Sequence, residues 1–577
     1  METPQNKKSS LADRILKASA LVGLAHICLK FAGLIQAKVA TQYLDSSIYE
    51  PIMVVAFTGV INSLFLIGEE VIGPTFLTIF MKEKEQKDEK AAWDYTNVTL
   101  SFQSLLLLLV ASTITCFPDF YIRLFTTWTL ENNPDEYKLL RISLQFMAPS
   151  LFFLSIGSTT YVLLNGYKKF FLAAFGDAST KICIIIGLLI GFGIFGLDYH
   201  ALLFSIVVGS IAKVATHLAG MPSKLQYLRP SFNFRNPAFK SMLILMIPLL
   251  LGIIFAKIRD NFNNIYILTH IEQKGVLMAN DLGRKLFSSI QWLVPYALQI
   301  ALFPFLCELV SKQDREKLGE ILSSSCRLLL SVFVPGSIIL SVLAMPISIL
   351  FFMGGKTGIE IASWAGISTA CYCLVLPAAA IECVLMQGSF ADQRTIAVTV
   401  IGITTSMVSV LLSYIFISIL QVPPKQAIMV VALGFVLSRF IKSFVLALYM
   451  RRNIPMFPLK ETAIFLLKLV LLAAVVGAVT YEASLTCAKF LPDGVAKALS
   501  FIGASSRSHY IPEVSRLRIA IRIVVSGTVG LATFLAASFL LNLKEPRLML
   551  EWTFAKVKRK KKPANAYSSS INRCNHE

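Results

Sequence analysis

The sequence predicts an all-α polytopic integral membrane protein with about fourteen transmembrane helices, and its composition and apolar pattern carry this prediction. Of its 577 residues, 55% are hydrophobic and only 15% are charged, whereas ordinary soluble domains carry about 25% charged residues. Apolar stretches of about 20 residues, the length that crosses a bilayer as a helix, recur along the whole chain. The connecting segments are too short to fold as soluble domains.

The predicted spans form two six-helix lobes and an extra C-terminal pair. Residues 1–220 hold the N-lobe with spans one to six, and residues 221–450 hold the C-lobe with spans seven to twelve. Residues 451–545 hold spans thirteen and fourteen with an outer loop at 483–516, and a basic tail follows at 546–577. By hydropathy the spans lie near residues 16–43, 51–80, 96–117, 140–165, 170–196, 200–220, 241–269, 284–311, 324–353, 360–387, 395–421, 426–450, 460–482 and 517–542.

Basic residues are concentrated in alternate connecting segments. With the N-terminus inside, the inner segments hold about three times as many Lys and Arg residues as the outer ones, which is the asymmetry of the positive-inside rule. We therefore expect both termini in the cytoplasm. The Lys-rich tail is most simply a topology anchor beside anionic lipid, with a specific partner as the alternative.

Several other classes of protein are disfavoured by the same sequence. The formal net charge of +20 could indicate a nucleic-acid-binding protein, but the basic residues lie in short loops and not in a basic domain. The ten cysteines are mostly single and lie inside apolar spans, so we expect no metal site and no cofactor. The chain has no Gly-rich phosphate loop and no nucleophile–base motif, so we expect no enzyme.

Two short motifs recur at an offset of about 225 residues. PTFLTIFMKEKEQK, which begins at Pro74, resembles PFLCELVSKQDREK, which begins at Pro304, and VLLNG at 162–166 resembles VLMQG at 384–388. The lobes therefore look like two copies of one unit in the same orientation. Such an arrangement places a substrate site between the lobes near the bilayer midplane, with spans one, two, seven and eight as its walls.

Charged residues interrupt the seventh predicted span. A Lys, Arg or Asp at a helix centre costs roughly 2.5–3.5 kcal/mol, and three such residues lie within 257–260. We expect one helical stripe to line a water-filled cavity and the opposite stripe to find partners on a neighbouring helix. A Lys257–Asp260 ion pair that only fixes packing is the alternative. The first stripe is Lys257, Asp260, Asn261 and Asn264, and the second is Arg259, Asn263, Tyr266 and His270.

Cations outnumber acids on the predicted cavity walls. A net positive cavity suits an anionic cargo such as a pyrophosphate, which accepts charge-assisted hydrogen bonds from Lys and Arg. Lys30 and Lys38 could instead reach an interface, as could Arg284 and Lys285 at the start of span eight. The cations are Lys30, Lys38, Lys257, Arg259, Arg284 and Lys285, the acids are Glu69, Glu70 and Asp260, and span one also carries Gln36.

Smaller polar groups lie elsewhere in the spans. The i,i+4 spacing of Asp177 and Lys181 predicts a structural bridge. Lys213 and His217 have the same spacing, and we expect them to reach lipid headgroups at the inner end of their span. Possible secondary sites with no supporting pattern are Glu382, Arg439 and Lys442.

Four motifs carry a resemblance to a known family. RPSFNFRNP at 229–237 followed by MIPLLLG at 246–252 is similar to a loop and the opening of the seventh helix in the MurJ (MviN) lipid II flippase family of the MOP superfamily. Ala56-Phe57 with Gly68-Glu69 echoes its second helix, LFP at 302–304 the end of its eighth, and DQRT at 392–395 an inner loop. The resemblance covers roughly residues 15–450 and is strongest from 225 to 400.

The resemblance implies roles for particular residues. It places Lys30, Gln36, Lys257, Arg259, Arg284 and Lys285 in the substrate-binding set, with Glu69, Glu70 and Asn264 as supporting polar groups. Spans thirteen and fourteen would form a groove for a polyprenyl tail. The family's helix-seven acid, implicated in sodium coupling, falls on Asn263, while an acid appears at Asp260. Coupling to Na+ or to the membrane potential is therefore an expectation for these two positions.

The sequence also departs from the family. Neutral Gln36 takes the place of a cavity arginine, Leu64 and Phe65 replace an arginine pair, and Arg284 reverses an acid. Positive charge has moved from helices one and two toward seven and eight.

Three functions follow from these observations. The first is a flippase that moves lipid II between the leaflets of a bacterial inner membrane by alternating access, with lipid II and membrane lipids as its partners. The second is a flippase for another polyprenyl-pyrophosphate-linked glycan, or a cation-coupled exporter of the same superfamily. The third is a transport-inactive structural membrane protein.

Overall fold

The structure is a computed structural model that describes residues 28–291, 295–503, 514–543 and 545–546. In these residues it is α-helical and holds no β-strand, apart from one isolated bridge between Gly354 and Thr357. The helices are α1 (28–43), α2 (Ser46–Gln86), α3 (Glu89–Cys116), α4 (Pro118–Phe125), α5 (Pro134–Gly166), α6 (Phe170–Phe192), α7 (Tyr199–Ala219), α8 (Pro237–His270), α9 (Val276–Gln291), α10 (Pro295–Ser311), α11 (Arg315–Phe352), α12 (Ile359–Ala391), α13 (Thr395–Ile419), α14 (Pro424–Arg451), α15 (Leu459–Phe490), α16 (Val495–Gly503) and α17 (Arg516–Leu540).

The described helices confirm a polytopic membrane protein without confirming the count of fourteen spans. Eleven of them are long and apolar enough to cross a bilayer, or twelve if the bent helix α8 forms one span. Predicted spans one and eight fall partly on residues outside the described ranges. The predicted start of span eight at 284 is wrong, because α9 begins at Val276. The predicted loop 483–516 is also partly helical, since α15 continues to Phe490 and α16 follows.

Helices alternate between two faces of the molecule. We call the face with connecting segments 87–88, 167–169, 220–236, 312–314, 392–394 and 452–458 the basic face, and the other the opposite face. Helix α8 starts at the basic face and ends at the opposite face, and α9 starts where α8 ends. Helix α9 contacts the last turns of α8 at residues 262–270 and packs mainly on α12.

Helix boundaries repeat along the chain with one spacing. Pro134 and Ile359, the first residues of α5 and α12, are 225 positions apart, and so are Tyr199 and Pro424 at the starts of α7 and α14. Helices α5 and α12 also end alike. Lys168 and Gln393, each two residues past the end of its helix, both have a left-handed backbone, with φ of 60° and 58°. Corresponding helices thus begin and end alike, which supports the interpretation of two copies of one unit.

Helix α8 joins the two lobes and is bent. Its segments Pro237–Ile247 and Leu249–His270 meet at 45°, at Pro248, whose missing N–H removes one hydrogen bond of the helical ladder. The first segment packs on the N-lobe, where Phe239 and Met242 belong to a buried cluster with residues of α2, α3 and α5. The second segment bonds to C-lobe helices. One helix therefore touches both lobes.

Small residues allow close helix packing inside the N-lobe. The Oγ1 atom of Thr180 on α6 donates to the carbonyl of Gly209 on α7 at 3.1 Å. A Cβ atom at position 209 would lie 2.9 Å from the Thr180 carbonyl oxygen, so the helices approach at this point only because it is a glycine. Packing through small residues is typical of membrane helices, which lack a hydrophobic driving force between them.

Candidate functional site between the lobes

The charged segment of α8 faces α2 across the boundary between the lobes. The Nζ atom of Lys257 lies 2.6 Å from Oε1 of Glu70, and the Nδ2 atom of Asn261 donates to Oγ of Ser63 at 3.0 Å. Lys257 is thirteen residues from the end of α8 at His270, which is about 20 Å at 1.5 Å per residue. The Lys257–Glu70 bridge therefore lies deep within the membrane-spanning part of the protein.

The opposite stripe of α8 bonds to α13 of the C-lobe. The guanidinium of Arg259 donates to Oγ of Ser406 at 2.7 Å and to Oδ1 of the adjacent Asp260 at 2.7 Å. The Nδ2 atom of Asn263 donates to Oγ of Ser409 at 3.1 Å. The expectation that this stripe finds partners on a neighbouring helix is thus met. The alternative Lys257–Asp260 ion pair does not form, because each residue has another partner.

The side chain of Asn264 does not lie on the cavity-facing stripe of α8 that the sequence predicted for it. Its Oδ1 atom accepts from the Tyr372 hydroxyl at 3.0 Å and from Nδ2 of Asn280 at 3.3 Å, both in the C-lobe. The chain forms a π-helix at Phe262–Tyr266, and its wider i→i+5 turn shifts the phase of the residues that follow. A regular helical wheel cannot anticipate this shift.

Lys285, in the second half of α9, belongs to a network with buried Asp281 and Tyr49. Its Nζ atom lies 2.7 Å from Oδ2 of Asp281 and 3.0 Å from the Tyr49 hydroxyl. The same hydroxyl donates to Oδ2 of Asp281 at 2.8 Å. Lys285 is nine residues into α9, about 14 Å from its start, so the alternative that it lies at the outer interface is wrong. Arg284, the neighbouring predicted site residue, is half-buried on the same helix.

Helix α1 contributes fewer cations to the site than expected. Gln36 is buried, and Lys30 is half-buried. The Nζ atom of Lys38 donates to the Met353 carbonyl at 3.3 Å, near the opposite face. A cation that the sequence did not assign to this region, Lys181 of α6, donates to the Leu29 carbonyl at 3.0 Å. Lys181 therefore adds positive charge beside α1.

Two further charge clusters lie inside the lobes. Asp177 pairs with Lys213 at 2.6 Å and not with Lys181, so the predicted i,i+4 bridge is wrong. Lys213 and His217 are fully buried, which also overturns the expectation that they reach headgroups. Their side chains extend into the lobe because glycines make room for them: Cβ atoms at Gly157 and Gly176 would lie within 3 Å of these two side chains.

The C-lobe cluster is a carboxylate held by two cations. Glu382 on α12 accepts from Nη1 of Arg439 at 2.6 Å and from Nζ of Lys442 at 2.5 Å, both on α14. Lys442 follows His217 by 225 positions, the repeat spacing, so each lobe carries a basic residue at the corresponding place of its last helix. The repeat spacing, applied to charged residues, was the signal that could have found this pair.

Glu69 connects the N-lobe cluster to the bridge between the lobes. This half-buried residue of α2 lies in the electrostatic field of Lys213 and Asp177 on one side and of Glu70 and Lys257 on the other. The sequence placed Glu69 and Glu70 together as supporting polar groups. Glu70 pairs with Lys257 of α8, whereas Glu69 is near the charges of both the N-lobe cluster and that bridge.

The positions expected to couple an ion do not fit a sodium ion. The Asp260 carboxylate is bound by the Arg259 guanidinium. The Oδ1 atom of Asn263 is buried and has no hydrogen-bond partner among the described residues, but it is a single neutral ligand. A fixed cation one turn away opposes a second positive charge in a medium of low dielectric constant. The described residues also contain no cluster of three His, Cys, Asp or Glu suited to a metal.

Contacts between the lobes concentrate at the opposite face. The Glu50 carboxylate of α2 accepts the backbone N–H of Met278 at 2.9 Å, at the N-terminus of α9. The backbone N–H of Thr127 donates to Oγ1 of Thr269 at 2.9 Å, and Nζ of Lys274 lies 2.5 Å from Glu136. That hydrogen bond raises the pKa of Lys274 above its usual value, so the lysine stays protonated. These contacts close the lobes together at the opposite face.

Helix α1 adds to this closure. The backbone N–H groups of Lys356 and Thr357 donate to the carbonyls of Gln42 and Thr41 at 3.2 Å each. A C-lobe loop between α11 and α12 is thus held against the N-lobe by backbone hydrogen bonds. We call the contacts of Glu50, Thr127, Lys274, Lys356 and Thr357 the opposite-face seal.

Comparisons with known proteins agree with this architecture. A profile of the family described as "Lipid II flippase MurJ" matches residues 40–497. The "Probable lipid II flippase MurJ" of Buchnera aphidicola subsp. Acyrthosiphon pisum (strain APS) is 23% identical over 344 residues. That match covers 59% of this chain and 66% of the relative, just under two thirds of the relative's length.

Solved structures share the fold. A structure described as "Lipid II flippase MurJ, inward closed conformation" matches with a TM-score of 0.65 at 18% identity, over 90% of this chain and 98% of that one. An inward-facing multidrug resistance MATE family transporter of the MOP superfamily matches with a TM-score of 0.58 at 12% identity, over 75% and 94%. At these identities the likeness shows the fold alone. Because the family profile covers most of the sequence, the chain belongs to the MurJ family of lipid II flippases.

Proposed function

We propose that this protein moves lipid II across the bacterial inner membrane by alternating access of its two lobes. One observation carries the proposal: cations of α8 and α9 lie deep in the membrane-spanning part, at the boundary between lobes that are closed together at the opposite face. Basic side chains at that depth are costly, pair with acidic groups and mark substrate pathways. A pyrophosphate accepts charge-assisted hydrogen bonds from such groups. The polyprenyl-pyrophosphate part of lipid II supplies both the anion and an apolar tail.

The basic face is proposed to be cytoplasmic, with both termini on that side. Lys and Arg residues in short loops set the orientation of membrane proteins. In this orientation the opposite-face seal closes the periplasmic side, and the substrate would enter from the inner leaflet. Opening the seal and closing the basic face would release the headgroup into the outer leaflet.

A groove between the last two spanning helices suits the polyprenyl tail. A cavity of 480 Å³ lies between α15 and α17 and is lined mainly by small and apolar side chains, including Ala478, Val479 and Val525. It shares Thr486 and Cys487 with a second cavity that reaches Phe490. From Ala478 to Phe490 the helix rises about 18 Å at 1.5 Å per residue. A groove of that length accommodates several isoprene units.

The membrane potential is the proposed driving force. At the expected ion site the Arg259 guanidinium is bound to the Asp260 carboxylate. A coupling sodium ion therefore has no favourable place beside Asp260. An anionic headgroup that moves outward is favoured by an inside-negative potential, by about 2.3 kcal/mol per charge for each 100 mV. Transport would then need no bound metal. Turnover in proteoliposomes should follow an imposed potential and not a sodium gradient.

Complementation tests the proposed substrate. In a bacterial strain depleted of its own lipid II flippase, the wild-type chain should restore growth. Lys257→Ala and Lys30→Ala should each lower rescue roughly tenfold, because a charge-assisted hydrogen bond contributes about 1.5–3 kcal/mol. Lys558→Ala, in the basic tail outside the described residues, should not change it.

Two outcomes would redirect the proposal. No rescue despite normal insertion, together with rescue of a strain that lacks a flippase for another lipid-linked glycan, would assign a different headgroup. Unchanged rescue after charge reversal of both Lys257 and Arg259 would favour a structural protein without transport.

A further inference from the structure

Three cations of α8 and α9 in the candidate site are already bound by carboxylates of the same chain. Lys257 has Glu70 at 2.6 Å, Arg259 has Asp260 at 2.7 Å and Lys285 has Asp281 at 2.7 Å. Part of the positive charge expected from the sequence is thus neutralised in this conformation. An anionic headgroup must compete with these carboxylates for the same donors.

The three carboxylates differ in how easily they can leave. Asp281 is 8% exposed and is also bound by the Tyr49 hydroxyl. Asp260 follows Arg259 in the chain, so this pair lies within one helix and does not depend on the position of the lobes. Glu70 is 46% exposed and lies beside Glu69, whose negative charge opposes it. Glu70 is therefore the carboxylate that a competing anion displaces most easily.

The Glu70 bridge also crosses the boundary between the lobes. Glu70 lies on α2 of the N-lobe, whereas Lys257 belongs to the segment of α8 that bonds to α13 through Arg259 and Asn263. The bridge therefore forms only when α2 and this part of α8 are close together. Removing its lysine frees one contact between the lobes.

We propose that Glu70 is a placeholder for the anionic headgroup, and that headgroup binding transfers Lys257 from Glu70 to a phosphate oxygen. This inference rests on the proposed function, because it takes a lipid pyrophosphate as the ligand. The ammonium of Lys257 has three N–H donors and can approach the phosphate before it leaves the carboxylate. The transfer opens the α2–α8 bridge. Substrate binding thereby weakens the conformation in which the site is empty.

The mechanism agrees with the thermodynamics of coupled conformations. A ligand shifts a conformational equilibrium only by its difference in affinity for the two states. A ligand that takes Lys257 from Glu70 binds better where the bridge is already broken. Because Glu70 holds Lys257 only when α2 and α8 are close together, headgroup binding favours the conformation in which these two helices are separated. It also keeps a lysine deep in the membrane paired when no substrate is present, which lowers the cost of its burial.

A binding experiment on the purified full chain tests the inference. The probe is undecaprenyl pyrophosphate in detergent, and the measured quantities are its Kd and the thermal unfolding midpoint of each variant. Glu70→Gln removes the competitor and should bind the probe about fivefold more tightly, since a partly exposed ion pair has this strength. Lys257→Ala should bind more weakly than wild type. Glu83→Gln, which breaks the 2.8 Å pair with Lys87 at the basic-face end of α2, far from Lys257, is the control and should leave Kd unchanged.

A charge swap separates the placeholder role from a merely structural bridge. Glu70→Lys combined with Lys257→Glu keeps an ion pair between α2 and α8, so the unfolding midpoint should stay near that of wild type. Binding should nevertheless fall, because the ammonium has moved to α2. Wild-type affinity in the swapped protein would overturn the placeholder, and this holds even where Glu70→Gln alone does not fold.

The outcomes distinguish the inference from the proposed function. If wild type binds the probe and Lys257→Ala weakens it, but Glu70→Gln binds no more tightly, the placeholder is wrong while the function stands. If wild type does not bind the probe, the proposed substrate class fails and the placeholder fails with it.

Discussion

At the scale of single residues, charge in this protein is organised as pairs that the sequence does not reveal. Lys257 and Glu70 are 187 positions apart, and Asp177 chooses Lys213 over the nearer Lys181. The α-helical spacing predicted a pair between Asp177 and Lys181, but Asp177 binds the buried Lys213 of the next helix instead. The side chain of Lys213 is 2% exposed, and that of its partner Asp177 is 21% exposed. In a membrane the more deeply buried cation has the greater need of a counter-charge.

The C-lobe triad gives a prediction at this scale. Glu382→Gln leaves Arg439 and Lys442 without their carboxylate, and should lower the free energy of unfolding by about 3 kcal/mol, as for other buried pairs with one partner removed. Chemical unfolding of the purified protein would measure the change. Glu461→Gln is the matched control, because its pair with Arg327 is 3.3 Å long and Glu461 is 67% exposed. If both variants lose a similar free energy of unfolding, Glu382 stabilises the protein no more than the exposed Glu461 does.

At the scale of elements, hydropathy predicted most spanning helices well and their ends less well. Apolar length decides which segments cross the bilayer, and this information is local. The ends depend on neighbours: α2 begins at Ser46, five residues before its predicted start, where Asp45 caps it through the N–H of Ile48. The π-helix at Phe262–Tyr266 is likewise invisible to a regular helical wheel. This π-helix turns the Asn264 side chain toward the C-lobe.

The repeated helix ends give a prediction at this scale. Gln393 has a φ of 58° and is exposed, so glycine should relieve about 1 kcal/mol of left-handed backbone strain. Gln393→Gly should therefore raise the thermal unfolding midpoint, and Lys168→Gly at the corresponding N-lobe position should do the same. Ala391→Gly, two residues earlier in the helix, should lower the midpoint. Equal effects at positions 391 and 393 would contradict the assigned backbone conformation.

At the scale of the whole molecule, two similar lobes are closed together at one face. The lobes share helix spacing, left-handed helix ends and a cation on the last helix that is paired with a carboxylate. They differ in what that cation binds, Asp177 on α6 in one lobe and Glu382 on α12 in the other. The polar contacts of the opposite-face seal lie beside a hydrophobic cluster that contains buried residues of both lobes, and Glu50 is the buried acid among them. Opening the seal therefore also divides this shared cluster.

Glu50 supplies the prediction for the whole molecule. Glu50→Gln removes a negative charge from the N-terminus of α9, where it interacts favourably with the helix dipole. The opened population should rise by about fivefold, as expected for a partly buried charge of this kind. Maleimide labelling of Val276→Cys, in a background in which the other cysteines of the chain are replaced by Ser, would measure it. Asp135→Asn, an exposed acid near the same face, should leave labelling unchanged, and equal labelling in both variants would rule out a role for Glu50 in the seal.

The sequence by itself determined the class of protein, most of its spans, the two-fold repeat and the presence of costly charge in α8. These properties depend on composition and on spacing along the chain, which are local quantities. Only the tertiary structure decided which carboxylate each cation meets, because the partners come from helices far apart in sequence. Two of the predicted cavity cations, Lys257 and Lys285, became members of ion pairs once Glu70 and Asp281 were placed beside them. Electrostatic energy depends on distance in space, and that distance is fixed by how the lobes pack.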